Sequence, residues 1–168
     1  MKTVNSISGG KTSSYIAANY PADYNVFALV RTNDKSCLYP DKKLRQIVSD
    51  KIGVEFIGTL EQDNIIKVML DLEQFIGKEI TWLSPKTFDD VISQYKGKNG
   101  SNYLPNLMTR YCTTDMKMKP IFDWWQKEIN EIVEMRIGFR ATEMNRAKRV
   151  IEKLNANGVD EMKAVIGK

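Results

Sequence analysis

The feature that most constrains the fold of this chain is the run Ile7-Ser8-Gly9-Gly10-Lys11-Thr12-Ser13. An apolar, strand-like start precedes this run and a helical pattern follows it, so the two glycines predict a tight turn between a strand and a helix. The amides of such a turn, together with the dipole of the following helix, favour an anion. The residues predicted to hold the phosphates of a ligand are Ser8, Gly9, Gly10, Lys11, Thr12 and Ser13.

The turn has two other interpretations. Gly10-Lys11-Thr12 matches the end of a Walker A loop, but that motif needs a glycine five residues before Gly10, where this chain has Asn5. An ordinary Gly-Gly turn capped by Ser or Thr is the second alternative. Because the apolar strand runs almost into the glycines, the pattern favours a phosphate loop shorter than Walker A.

This short loop resembles the SGGxDS signature of the adenine-nucleotide α-hydrolase superfamily, which includes PP-loop ATP pyrophosphatases and PAPS reductases. Here the signature reads SGGKTS, with Thr12 where most members carry Asp. The resemblance implies a Rossmann-like nucleotide-binding fold and an adenine nucleotide as ligand, either ATP or a PAPS-like compound. The loop lacks the Asp carboxylate. The resemblance therefore implies that the nucleotide can bind with or without Mg²⁺.

Composition excludes several classes of catalysis. The chain has 168 residues, no histidine and only two cysteines, Cys37 and Cys112, which are far apart. Without histidine, Ser-His-Asp and Cys-His mechanisms are excluded. The cysteine spacing forms neither a CxxC metal knuckle nor a disulfide framework, so no metal site built by the protein is predicted.

Length and hydrophobic content predict one globular domain over residues 1–168. Since no stretch approaches a membrane span or a signal-peptide core, we expect a cytoplasmic protein with no membrane partner. The net charge is +4, with its excess around 110–119 and 136–153. This mild bias suits an anionic ligand better than a nucleic-acid footprint, so a nucleic-acid partner has only weak support. Nothing in the sequence decides against a homo-oligomer.

Strand-like and helix-like segments alternate, which predicts an α/β fold with a doubly wound, mostly parallel sheet and helices on both faces. The predicted strands are 3–8, 25–31, 54–59 and 132–139, with a further short strand at 79–83. The predicted helices are 12–19, 41–52, 61–75, 87–95, 117–129 and 141–156. Ligands of such sheets bind beyond the carboxyl ends of the strands, at a switch in strand order. We therefore expect the loops that carry Gly9, Arg31 and Arg140 to converge, with Arg31 among the residues that bind the nucleotide.

A second motif, RYCTTDMKMKP at 110–120, concentrates cations and hydroxyls ahead of a predicted helix. A guanidinium can grip phosphate or sulfate bidentately and lysines add mobile charge, although a solvated basic helix start is the alternative. The stretch resembles the Lys-x-x-Pro step of the PAPS reductase family, here Lys117 to Pro120. That resemblance implies Arg110 and Lys117 as catalytic anion ligands, with Cys112 as a candidate nucleophile beside them.

A third motif, GFRATEMNR at 138–146, is similar to the GxRxxE or GxRxxQS element of the same family. Gly138 permits close backbone approach, Arg140 and Arg146 can reach phosphates, and Glu143 can orient one arginine by a charge-assisted bond. A salt-bridged helix surface is the alternative for this segment taken alone. The three motifs follow the family's order over residues 4–149.

Together the motifs predict an enzyme that binds an adenine nucleotide and cuts or substitutes at its α-phosphate, with an acceptor that the sequence does not identify. The loop amides and Lys11 would hold the departing phosphates, while Arg110, Lys117 and Arg140 offset charge in the transition state. Two alternatives stay open: a sulfonucleotide reductase or sulfur-transfer enzyme using a cysteine, and a non-catalytic protein that sequesters a nucleotide. The resemblance implies a cysteine in a C-terminal tail for thioredoxin-linked PAPS reduction. Since no cysteine follows Cys112, that reaction is not expected.

Overall fold

A computed structural model of the chain describes residues 1–106 and 108–156. Its strands are β1 (Lys2–Ile7), β2 (Tyr24–Ala28), β3 (Arg31–Thr32), β4 (Gly58–Thr59), β5 (Ile80–Leu83) and β6 (Val133–Ile137). Its α-helices are α1 (Lys11–Asn19), α2 (Lys42–Ile52), α3 (Asn64–Ile76), α4 (Phe88–Gln94), α5 (Tyr111–Thr113), α6 (Lys119–Glu128) and α7 (Met144–Ala156). One π-helical turn, Thr114–Met118, joins α5 to α6. Within this described part, no helix is long and apolar enough to cross a bilayer.

The predicted α/β fold is confirmed: four strands form a parallel sheet flanked by helices, in the order β5-β2-β1-β6. β1 pairs with β2 on one side and with β6, the last strand in sequence, on the other. The strand order therefore reverses between β1 and β6. In open α/β sheets, such a reversal opens a crevice beyond the carboxyl ends of the two strands.

Local sequence signals explain where the helices begin and end. The carboxylate of Asp41 accepts hydrogen bonds from the backbone N–H groups of Lys43 and Leu44, at 2.9 and 3.1 Å, and starts α2. Gly53, with φ 71°, ends that helix in the left-handed conformation that glycine favours. A capping box between Thr87 and Asp90 starts α4.

The prediction of a core strand at 54–59 is wrong. Only Gly58–Thr59 is a strand, and it pairs antiparallel with β3 in a separate two-stranded ribbon. The carbonyl of Ile57 instead accepts a hydrogen bond from the N–H of Tyr39 at 2.9 Å. β5, expected from the sequence only as a short extra strand, takes the sheet position beside β2, because its alternate residues Ile80 and Trp82 are buried.

The predicted strand at 25–31 is also divided. β2 ends at Ala28, after which the N–H of Leu29 donates to the carbonyl of Leu83 at 2.8 Å and Arg31 begins β3. The chain separates into two compact units. The first contains Met1–Phe27, Ile65–Thr81 and the described residues from Ile129 onward; the second contains Ala28–Asn64 and Trp82–Glu128.

Candidate functional site

The loop between β1 and α1 consists of Ser8, Gly9 and Gly10. Gly9 has φ 73°, a conformation in which side chains with a Cβ are strained, and a Cβ there would lie 2.9 Å from Cγ2 of Ile65. Asn5 is fully buried inside β1, so the strand occupies the position where a Walker A loop would begin. The loop is therefore a short Gly-Gly bend that enters a helix directly.

The buried side chain of Ser13 stabilises this loop by hydrogen bonds to its backbone. Only 4% of the residue's surface is exposed, and its hydroxyl donates to the carbonyl of Gly10 at 2.9 Å. The same oxygen accepts a hydrogen bond from the backbone N–H of Ser8 at 3.2 Å. The predicted phosphate ligand Ser13 thus positions the loop, whereas the exposed Ser8 lies at its outer side.

The N-terminus of α1 has no side-chain cap. Gly10 occupies the N-cap position, and no acidic residue lies in the first turn. The first N–H groups of a helix have no acceptor within the helix, so here they are open to an anion. Lys11 is exposed and forms no ion pair or hydrogen bond with the described residues, while Thr12 is half-buried beside it. The arrangement combines amide donors with an uncompensated cation.

Gly138 brings the third motif against this loop. In the β1–β6 pairing Ser6 is opposite Ile137, so the two strands end side by side. A Cβ on Gly138 would lie 2.9 Å from the backbone nitrogen of Ser13 and 3.2 Å from the carbonyl carbon of Thr12. Backbone atoms cannot yield as a side-chain tip can, so only glycine fits this contact without a shift. The first and third motifs are therefore neighbours at the β1–β6 reversal.

Glu143 organises the arginines that follow Gly138. Its carboxylate accepts hydrogen bonds from the backbone N–H of Arg140 at 3.0 Å and from the guanidinium of Arg146 at 2.8 Å. These two bonds, the Arg140 one first, hold the pKa of Glu143 below its ordinary value. The Arg146 guanidinium also lies over the ring of Phe139, 5.7 Å from its centroid. Arg140 is exposed, and its guanidinium forms no hydrogen bond within the described part of the chain.

The middle motif, residues 110–120, belongs to the second unit. Arg110 is exposed, while Cys112 is half-buried against the apolar cluster of Val91, Tyr111 and Met116. Lys117 lies in the π-helical turn and forms an ion pair with Glu61. The predicted anion ligand Lys117 therefore already has a carboxylate partner, which the sequence did not indicate.

Arg31, predicted as a nucleotide ligand, also belongs to the second unit. It is the first residue of β3, and its side chain is buried, with 9% of its surface exposed. Its Nε donates to the carbonyl of Ser84 at 3.2 Å. Of the three loops expected to converge, those of Gly9 and Arg140 lie together in the first unit, and the prediction for Arg31 stays a prediction.

Sequence reasoning missed a cavity of about 350 Å³ in the second unit. Trp82 and Pro85, at the end of β5, and Pro120 and Trp124, on α6, form part of its walls. Trp82 lies in a short strand and Trp124 in a helix, and no sequence pattern links them. Only the folded chain shows that both line the same cavity. Among the described residues, no three His, Cys, Asp or Glu side chains are grouped so as to hold a metal ion.

Comparison with known proteins identifies no relative of this chain. No family model matches it, and searches of curated proteins and of solved structures give no match. The likeness of its three motifs to a known superfamily remains a resemblance between residues. Two of these motifs nevertheless lie in contact, through Gly138 and Ser13.

Proposed function

We propose that this chain is an adenine-nucleotide-binding protein of the PP-loop, PAPS reductase-like type that acts at the α-phosphate of its nucleotide. The observation that supports this most is the contact of Gly138 with the backbone of Ser13. It sets the third motif beside an uncapped helix N-terminus, at the reversal in strand order where α/β sheets bind ligands. SGGKTS and GFRATEMNR are also the motifs that carry the resemblance to this superfamily.

In this proposal the work of the protein is positioning and charge neutralisation. The amides of Gly9, Gly10 and the first turn of α1 hold the β- and γ-phosphates, and Lys11 offsets the charge of the departing pyrophosphate. Arg140 and Arg146 neutralise the remaining phosphate oxygens. Any Mg²⁺ would be held mainly by the nucleotide's own phosphates, since Thr12 supplies no carboxylate at this loop.

The two cations of the middle motif, in the second unit, differ in how far their charge is compensated. Because Lys117 is paired with Glu61, its charge is already partly compensated. Arg110 is exposed and forms no ion pair or hydrogen bond through its side chain with the described residues, so its guanidinium is the less compensated of the two cations.

Binding tests the first part of the proposal. Calorimetry with ATP, AMP and adenylyl sulfate, with and without Mg²⁺, should give saturable binding of at least one adenine nucleotide. Lys11→Met should weaken that binding about tenfold, the loss of one charge-assisted contact. Lys67→Met is the matched control, because Lys67 is an exposed lysine of α3 in the same unit. No binding of any adenine nucleotide, or equal losses in both variants, would contradict the proposal.

Product analysis tests the second part. Attack of water or of an acceptor hydroxyl on the α-phosphorus breaks its bond to the bridging oxygen and gives pyrophosphate together with AMP or an adenylylated acceptor. ³¹P NMR distinguishes pyrophosphate from orthophosphate. Orthophosphate as the only product would place the reaction at the γ-phosphate and contradict the proposal. Tight binding with no product in single-turnover reactions would favour the alternative of a nucleotide-sequestering protein.

The sulfur-transfer alternative is tested through the thiols. Cys37 and Cys112 are both half-buried and both free. If a cysteine carries sulfur or electrons, the double variant Cys37→Ser, Cys112→Ser should lose any reductase or sulfur-transfer activity. Unchanged activity in that variant would remove this alternative.

A further inference from the structure

Arg31 is a buried cation of the second unit that forms no ion pair with any described residue. Only 9% of its surface is exposed. Its backbone is fixed on two sides, by the antiparallel pairing with Thr59 and by a bridge to Thr87. Arginine stays protonated in proteins, so this position places a full positive charge inside the unit.

The donors of Arg31 are mostly unused. Its Nε donates to the carbonyl of Ser84, but Nη1 and Nη2 form no hydrogen bond with any described residue. Asp90 attracts the guanidinium electrostatically without lying within ion-pair distance. The Asp90 carboxylate is already engaged, because it accepts the N–H of Thr87 at 2.9 Å in the capping box of α4.

A buried charge with unused donors is costly. Burial removes part of the water that would otherwise solvate the guanidinium, and it lowers the pKa of Arg31, with Asp90 opposing that change only in part. Nη1 and Nη2 are not among the fully buried atoms that lack a partner, so both stay within reach of solvent and of an anion from it. Buried arginines in proteins are normally matched by a carboxylate or another anion with good hydrogen-bond geometry. Within the described part of the second unit, no side chain supplies that match.

We propose that Arg31 anchors an oxyanion site in the second unit, in which Nη1 and Nη2 bind two oxygens of a phosphate or sulfate group. Nη1 and Nη2 are spaced so that each can donate to a different oxygen of the same phosphate or sulfate group. The single ammonium group of a lysine cannot make this paired contact. The proposal uses only residues of the second unit, Arg31 and Ser84, and none of the Gly-Gly loop.

Thermal unfolding in the presence of oxyanions tests this site. Sodium phosphate and sodium sulfate should each raise the Tm of the full chain by about 3 °C or more above sodium chloride of equal ionic strength. Sodium acetate is measured in the same way, as a carboxylate for comparison with phosphate and sulfate. No extra stabilisation by phosphate or sulfate, or an equal rise with acetate, would overturn the proposal.

Substitutions test whether the rise in Tm with phosphate and sulfate depends on Arg31. Arg31→Met should abolish the oxyanion-dependent rise in Tm, each variant being compared with its own Tm in chloride. Arg149→Met is the matched control, because Arg149 is an exposed arginine whose loss removes the same charge, and it should keep the rise. If Arg31→Met does not fold, Arg31→Lys keeps the charge but loses the paired donors, and it should weaken phosphate binding about tenfold by calorimetry.

Gly138→Ala separates this site from the nucleotide loop. It disturbs the loop of the first unit and should leave the oxyanion effect of Arg31 in place. An effect lost in Gly138→Ala but kept in Arg31→Met would overturn the Arg31 site while supporting an anion at the loop. An effect lost in Arg31→Met and kept in Gly138→Ala would support the Arg31 site whatever the outcome for nucleotides.

Discussion

Ser13 is joined to Ser8 by two hydrogen bonds across the Gly-Gly loop. The N–H of Ser8 donates to the hydroxyl oxygen of Ser13 at 3.2 Å, and the two hydroxyl oxygens are also 3.2 Å apart. The single hydroxyl hydrogen of Ser13 is directed to the carbonyl of Gly10, so Ser8 is the donor of the second bond. The shape of the loop thus depends on one buried hydroxyl.

Ser13→Ala should lower the free energy of unfolding by about 1–2 kcal/mol, because it leaves the Ser8 N–H and the Gly10 carbonyl without the partly buried hydrogen bonds that the hydroxyl makes to them. It should also weaken any nucleotide binding, since the loop amides lose their support. Urea unfolding measures the first effect and calorimetry the second.

Ser14→Ala is the control for this prediction. Ser14 is the next residue of α1, and its buried hydroxyl has no hydrogen-bond partner among the described residues. Its removal should change stability by less than about 0.5 kcal/mol, or raise it slightly through the helix propensity of alanine. Equal losses in the two variants would contradict the role assigned to Ser13.

Gly138→Ala should be more damaging than Gly10→Ala. A Cβ at Gly138 meets the Ser13 nitrogen at 2.9 Å, whereas a Cβ at Gly10 meets only the Ser8 hydroxyl at an ordinary 3.6 Å. The crowded variant should lose about 1–3 kcal/mol of stability and the other about 0.5–1 kcal/mol, the difference between glycine and alanine as an N-cap. Denaturant midpoints at constant m-value measure the difference. If Gly138→Ala were as stable as the wild type, the close approach to the loop would be wrong.

The part of the fold that sequence reasoning predicted best is the part that local patterns determine. Hydrophobic periodicity predicts the strand before Ser8, the helix after Gly10 and the strand before Gly138. A glycine marks one end of each of these elements. Parallel pairing of β1 with β6 then brings those ends together at one edge of the sheet.

The errors come from choices that only long-range contacts decide. The segments 54–59 and 79–83 are both short apolar runs, and which one enters the sheet depends on pairing and burial far along the chain. The partner of Lys117 is Glu61, 56 residues away, which no spacing rule can indicate. Likewise, no spacing rule indicates that Arg31, at the end of an apolar run, is buried by the strands and loops around it.

The ion pair of Lys117 with Glu61 should be worth more than an ordinary surface pair. The two side chains are 35% and 17% exposed, so solvent screens them only in part. A double-mutant cycle with Lys117→Met and Glu61→Gln should give a coupling energy of about 1 kcal/mol in urea unfolding.

The exposed pair of Lys127 with Glu128, whose charged atoms are 3.1 Å apart, provides the comparison within the same unit. The corresponding cycle, with Lys127→Met and Glu128→Gln, should give a coupling below about 0.5 kcal/mol, which falls further in added salt. A coupling for Lys117 and Glu61 no larger than this one would show that burial adds nothing to their pairing.

The capping box of α4 should make stability depend on pH through Asp90. The Thr87 hydroxyl and then the Thr87 backbone N–H bind the charged carboxylate and lower the pKa of Asp90. A carboxyl group whose folded pKa is depressed contributes stability above its unfolded pKa, about 3.9, and loses that contribution as pH falls through the folded pKa. Because Asp90 is exposed, its contribution is limited by solvent screening to about 0.5–1 kcal/mol.

The wild type should therefore be more stable than Asp90→Asn at pH 6, and the difference should shrink as the pH is lowered from about 4 to 2. Urea unfolding across this range measures it, with each midpoint converted at constant m-value. Asp71→Asn serves as the control, because Asp71 is an exposed residue of α3 that makes no hydrogen bond or ion pair with the described residues. A stability difference between the wild type and Asp90→Asn that stays constant from pH 6 to 2 would mean that the charge of Asp90 contributes nothing to the cap.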